Sequence, residues 1–318
     1  MSLNAMRGVL RARMPLALLA LVLLACAACA PTPAQPTPPP AQQPTPPPVS
    51  TPVHTAPAES TAPPVFVYDK YSMDSYTRDY VKPDPALYRL LFDAVDRFDS
   101  ALPLTGTPPS EEQVLALSAA IFARFEFNYV NSVLLAPDGG SLLIRYRDGI
   151  TEEQAQGEKD AFRRKVEYLL GEVVHPEKTE LENVTALYEY FSACTYDETA
   201  ENVGCYGIMV NSQGICTGYA YALRYLLDQI GVPSHLAFSE DESHVWNLVA
   251  LDGNFYHCDA TWESLSRSTK PSMDFFGMDD TRRRMDFSGW YGGGNSSYPR
   301  YDLPRCTDRR FAALSGIE

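Results

Sequence analysis

The sequence predicts an α+β fold in which helices come first and an antiparallel sheet follows. Three observations carry that expectation. Apolar residues recur at helical spacing after Asp84-Pro85, two Thr-x-x-Gln/Glu patterns are capping boxes, and two pairs of strand-like runs are joined by turn residues, one pair by Asp252-Gly253.

The chain begins with segments that do not read as folded protein. Arg7, Arg11 and Arg13 precede an apolar run over 14–24 that ends in small residues, so a signal peptide is expected over 1–25. The run is too short to span a bilayer comfortably. Leu23-Leu24-Ala25-Cys26 resembles the lipobox of bacterial lipoproteins, which implies lipidation of Cys26 as the mature N-terminus. Cys29 fits less well, because Cys26 stands three positions before it where an aliphatic residue belongs. The alternative is a secreted chain cleaved after an alanine. Residues 26–64 are expected to be a lipid-anchored, Pro/Thr-rich linker, since 14 of the 26 prolines fall within 31–64. Such a segment favours polyproline II at about 3.1 Å per residue, a semi-stiff spacer of up to roughly 100 Å, or a ligand for a proline-reading domain.

The folded part divides in expectation into an N-terminal α+β section, 65–175, and a second domain, 176–318. The formal charge of the chain is −14, and the first 64 residues hold only Arg7, Arg11, Arg13 and Glu59, which puts the folded part at −16. That balance excludes a nucleic-acid binder and a basic face for anionic lipid, because phosphates would be repelled.

Leu87, Leu90, Leu91, Val95, Phe98 and Leu102 predict a helix over 85–102, and a second is expected over 111–125. Residues 129–135 and 141–146 flank Pro137-Asp138-Gly139-Gly140 as a hairpin. Thr151 with Gln154 and Thr179 with Glu182 open helices over about 152–171 and 180–194. His175 falls in the loop between them and is read as an ordinary loop histidine.

Chemistry begins near 211. Tyr219, Leu223, Leu226, Leu227 and Ile230 give a helix one apolar face, and Gly231 and Pro233 stop it, so Cys216 lies at or within one turn of its start. Free N–H groups and the dipole at that end favour a thiolate and could hold an oxyanion. Downstream, 244–251 and 254–259 are strand-like runs around Asp252-Gly253. If Leu251 faces Asn254, Trp246 lies opposite Asp259 and His244 follows on the same face, within a diagonal reach of roughly 7–8 Å. A loop one residue longer would separate them. A thiolate, a histidine and an aspartate so placed are a nucleophile, a base and an orienter.

Gly214-Ile215-Cys216-Thr217-Gly218-Tyr219-Ala220, His244-Val245-Trp246-Asn247 and Asp259-Ala260-Thr261-Trp262 resemble the three blocks of the transglutaminase-like superfamily, of papain-like fold, over about 185–265. The resemblance implies a cleft with an antiparallel sheet and the cysteine on a helix, and Cys216, His244 and Asp259 as catalytic triad. It is especially similar to transglutaminase-like proteins found as bacterial lipoproteins. It further implies cysteine-dependent acyl transfer on protein or peptide amides, to water or to an amine, at an extracytoplasmic membrane or cell surface. Val245 departs from the family's alanine and is read as a size change on the face away from the site. Gln213, Tyr206 and Trp246 are alternative second oxyanion donors. The runner-up reading is an adhesion or scaffold module that keeps the fold without turnover.

Cys194, Cys205, Cys258 and Cys306 could form two disulfides or remain thiols, and no pairing is preferred. They lack metal-ligand spacing, so neither metal nor cofactor is expected. His257 is the rival base, but it points parallel to Asp259 along one strand. Glu240-Asp241-Glu242 are read as a solvated turn or an attraction for amines, and 289–294 as a surface loop or an aromatic rim of the cleft.

Overall fold

The computed structural model describes residues 66–266, 272–293 and 300–311. Cys26, the 1–25 leader, the 26–64 linker and Gly294 lie outside the described residues. The described part is α+β with antiparallel sheets.

Helix α1, Pro85–Asp96, starts where Asp84 caps the Leu87 amide at 2.7 Å and Pro85 occupies the first turn. It ends at Asp96 rather than at 102. Phe98 takes φ 63, and its amide and that of Asp99 bond back to Val95 and Ala94 at 3.0 and 2.9 Å, a Schellman ending. Stacking of Phe98 on Tyr146 at 4.1 Å accompanies that backbone turn. Leu102, the last apolar position of the supposed stripe, belongs instead to strand β1, Ala101–Pro103. Leu90, counted in the stripe, is 56% exposed.

Helix α2, Glu111–Phe122, is capped by Ser110. Strands β2, Val130–Leu135, and β3, Ser141–Tyr146, form the expected hairpin, and β1 joins them in the order β1-β3-β2. Helices α3, Glu152–Tyr168, and α4, Glu180–Ser192, both open with complete capping boxes. A π-helical turn, Leu169–Val173, continues α3. Strands β4, Thr195–Tyr196, and β5, Gln213–Gly214, form a short parallel pair just before helix α5, Cys216–Gln229.

The second sheet is antiparallel in the order β8-β7-β6-β9, with β6 Ser234–Ser239, β7 Val245–Leu251, β8 Asn254–Cys258 and β9 Trp290–Gly292. Leu251 pairs with Asn254, and Asp252 and Gly253 take φ 48 and 80, the two positive angles of a type I′ turn. Within 289–294, Trp290–Gly292 is a strand on β6 and not a loop; a short, glycine-flanked edge segment has no alternation to reveal it. Helix α6, Ala260–Ser266, packs on α4 and α5, and helix α7, Asp280–Arg283, packs on β8.

Two apolar clusters divide along α3. Ala155 belongs to the first, with α1, α2 and the three-stranded sheet, whereas Phe162 and Val166 belong to the second, with α4, α5 and one face of the second sheet. Among the described residues no helix is long and apolar enough to cross a membrane.

Candidate active site

Cys216 is the first residue of α5 and half-buried. Two close approaches fix the turn that leads into it. A Cβ on Gly214 would lie 2.5 Å from the Val203 carbonyl oxygen, and one on Gly218 would lie 2.8 Å from that oxygen and 2.7 Å from Ile208. Only glycine lets the backbone pass there. Ile215 occupies the cap position in extended conformation and supplies no side-chain acceptor. By contrast Asp84, Ser110, Thr151, Thr179 and Asp279 cap their helices. The first turn of α5 therefore presents amides that no side chain satisfies.

His244 precedes β7, and Ser239 clamps its backbone: the His244 amide donates to Ser239 Oγ at 3.0 Å, and the Ser239 amide donates to the His244 carbonyl at 3.0 Å. The imidazole is fully buried, stacked on Phe287 at 5.6 Å and Trp246 at 5.8 Å and tilted against Trp262 at 5.5 Å. Its Nε2 lies 2.7 Å from Asp259 Oδ2. Nδ1 has no hydrogen-bond partner among the described residues, which leaves it as the ring nitrogen available to Cys216. Burial pushes the imidazole down, but the Asp259 carboxylate, its hydrogen bond and the Cys216 thiol together hold it up at about 9.

Asp259 follows β8 and caps α6, accepting the Trp262 amide on Oδ1 at 3.1 Å. Oδ2 takes His244 and also the guanidinium of Arg283, whose Nη2 is 2.6 Å away. Burial would raise this carboxyl, but His244 and Arg283 outweigh it and hold it down at about 2. The hairpin thus brings His244 and Asp259 together in the register the Asp252-Gly253 turn implies.

Arg283 was not legible in the sequence. It is the middle of Arg282-Arg283-Arg284, a run that reads as a solvated face, yet Arg283 is fully buried. The available signal was Asp279 capping a turn that carries Arg283 and Phe287 four residues apart, on one side of the chain.

The other candidates fall elsewhere. Tyr206 donates its hydroxyl to the Glu158 carbonyl at 3.3 Å, and Trp246 donates its indole N–H to His257 Nδ1 at 2.9 Å, so both donors are occupied. Gln213 lies on β5, three residues before Cys216, half-buried. His257 faces Trp246 and Asp280, and burial takes it down to about 4. Val245 does not point away from the site: odd positions of β7 face α5, and Val245 lies in the apolar cluster against which Cys216 packs. Glu242 of the acidic turn is paired with Arg300. The five described cysteines are free thiols, and Cys194, Cys205, Cys258 and Cys306 are buried.

His257, Asp280 and Cys306 bring ligand atoms within 4.8 Å of one another. Because His257 Nδ1 accepts the Trp246 N–H, its neutral ring must carry the proton on Nε2, directed at Asp280 Oδ1 at 3.1 Å. That nitrogen is a donor and offers no lone pair to a metal.

No curated protein matches the chain. Similar solved structures include a TGase, 12% identical with TM-score 0.30, covering 55% of this chain and 54% of that one. A candidate cysteine protease from Cytophaga hutchinsonii is 13% identical with TM-score 0.27, covering 47% of this chain and 56% of that one. The chain therefore spans about half the length of the solved structures it matches. Residues 167–260, which contain Cys216, His244 and Asp259, match the family model for the transglutaminase-like superfamily. On that match the chain carries a domain of the transglutaminase-like superfamily.

Proposed function

We propose that this protein is a cysteine-dependent acyl transferase or hydrolase acting on protein or peptide amides, with Cys216 as nucleophile, His244 as base and then acid, and Asp259 as orienter. One observation carries the reading: His244 Nε2 is bonded to Asp259 at 2.7 Å, while Nδ1 has no other hydrogen-bond partner among the described residues and the half-buried Cys216 thiol is near enough to help hold the ring up. Asp259 holds the Nε2–H, so Nδ1 is the ring nitrogen through which the proton passes between Cys216 and the imidazole. The thiolate then attacks the amide carbon, and the oxyanion is met by uncapped amides of the α5 first turn, with Gln213 the nearest sequence candidate for a second donor. Imidazolium protonates the departing amine as the C–N bond breaks. The thioacyl-enzyme passes its acyl group to water or to a primary amine.

The reading includes export and lipid anchoring at Cys26, supported by Arg7, Arg11, Arg13, the apolar run and Leu23-Leu24-Ala25-Cys26. Detergent partition and the mass of the mature N-terminal peptide test it; an unmodified, freely soluble chain starting at or beyond Cys29 overturns it.

For the chemistry, iodoacetamide at neutral pH is expected to modify Cys216 before the four buried cysteines. A peptide-amide library, with and without a primary amine, is expected to be turned over by wild type and not by Cys216→Ser. Inert Cys216 with no turnover would favour the adhesion or scaffold module.

A further inference from the structure

Asp259 Oδ2 is shared by two cationic groups. His244 Nε2 reaches it at 2.7 Å and Arg283 Nη2 at 2.6 Å, while Oδ1 is fixed by the Trp262 amide at 3.1 Å. The same three rings enclose both: the Arg283 guanidinium carbon lies 4.0 Å from the Trp246 centroid, 5.0 Å from Trp262 and 4.8 Å from Phe287. Those rings also stack on or tilt against His244. A fully buried guanidinium is costly to place unless it is paired, and its second anion is farther off: Asp286 Oδ2 is 3.5 Å from Nη1 and also takes Arg282.

We infer that Arg283 is a positioning residue of the Cys216–His244–Asp259 site, holding the carboxylate against the imidazole while limiting how strongly that carboxylate retains the imidazolium proton. The inference rests on the acyl-transfer reading above and adds to it a residue outside the family's three sequence blocks. Physically, three hydrogen bonds leave Asp259 no freedom to rotate. A permanent positive charge beyond the shared oxygen opposes a second positive charge on His244, which eases proton delivery to the leaving amine.

Tyr188 of α4 donates its hydroxyl to the Asp259 carbonyl at 3.2 Å and to Glu263 of α6 at 3.2 Å, and Cys258 adjoins Asp259 on β8. Cys216 comes from α5, Asp259 from the end of β8, and Arg283, Arg282 and Asp286 from α7 and the turn after it. His257 lies beyond Trp246, bonded to its indole, and stays neutral. Among the described residues Arg283 is the permanent cation that touches the carboxylate.

The test is a titration of His244 by NMR with labelled histidine, assigned by loss of its signal in His244→Gln, alongside kcat and KM for an amide substrate. In Arg283→Met the His244 midpoint is expected to rise by about one pH unit, since an opposing charge is gone. The kcat should fall by roughly 10²-fold through misplacement of the pair, with KM little changed. Arg283→Lys keeps the charge and loses the planar fork, so its midpoint should stay near wild type while kcat still falls. If Arg283→Met does not fold, Arg283→Gln, which keeps a donor and removes the charge, carries the same test. A folded Met or Gln variant with an unmoved midpoint overturns the inference. The titration needs no turnover, so a responsive His244 in a protein that turns over no amide would sustain the role of Arg283 and refute acyl transfer.

Discussion

Asp259 answers to a base and to a buried cation at once, and this decides what its replacement does. Asp259→Asn would present the wrong imidazole tautomer to Cys216, a loss of about 10² to 10⁴ in turnover by analogy with a serine triad. It would also strip Arg283, fully buried, of its nearer anion. Breaking a buried pair from one side costs about 3–5 kcal/mol, so the melting temperature should drop markedly. The double variant Asp259→Asn/Arg283→Met is expected to regain stability but not turnover. Thermal unfolding and amide turnover of both single variants and the double check this; additive losses in stability would mean that the two residues are not coupled. At this scale the sequence was legible where the chemistry sat in contiguous blocks, as with Cys216, His244 and Asp259. Arg283 was hidden because the Asp279 cap and the spacing to Phe287 mark a turn without saying that its face is buried, and it is the folding of α7 against β8 that buries it.

Among the elements, the turn from β5 into α5 has little tolerance. Gly214→Ala would press a methyl against the Val203 carbonyl oxygen from 2.5 Å, where backbone rather than a flexible side chain must give. Overpacking of this kind costs about 1–3 kcal/mol. The larger effect should be on function, because a shift of about 1 Å in Cys216 relative to His244 can cost 10²-fold. Comparing the rate of Cys216 alkylation with the melting temperature separates the two, and an unchanged rate would show that the turn yields without moving the thiol. Elements with local signals were readable: α3 and α4 from their capping boxes, and β7–β8 from Asp252-Gly253. The end of α1 was not, since Phe98 sits in left-handed backbone that an aromatic residue seldom adopts, and β1 and β9 exist only through pairing with strands distant in sequence.

For the whole molecule, the histidines set opposing slopes of stability with pH. Burial holds His235 and His257 at about 4, below the ordinary 6.5, so unfolding takes up protons and stability rises from pH 4 to 6.5. Asp228, raised by burial to about 7, opposes one of those two contributions over the same range. His244 is held above its ordinary value at about 9; its contribution is complete below 6.5 and is lost as pH climbs through 9. A maximum near pH 6.5 to 7 is expected in denaturant midpoints, with a flatter alkaline side in His244→Gln; an unaltered alkaline side would show that the pair does not titrate as described. The same whole-molecule view bears on where the chain can be cut. Phe162, Val166, Leu169, Leu170 and Val174, all before residue 176, are buried in the core that supports α5, and Phe66, Tyr68 and Phe125 pack against it. Arg224 of α5, 4% exposed, finds its ion-pair partner in Asp74, and Gln229 donates to Ser72 Oγ at 2.9 Å. A chain reduced to 176–318 would expose that apolar face and leave Arg224 without Asp74. It is expected to aggregate or to lack cooperative unfolding, whereas a chain beginning at 66 should unfold in one transition and label at Cys216 as the full protein does. A soluble 176–318 fragment with full Cys216 reactivity would show that the first section is dispensable to the site.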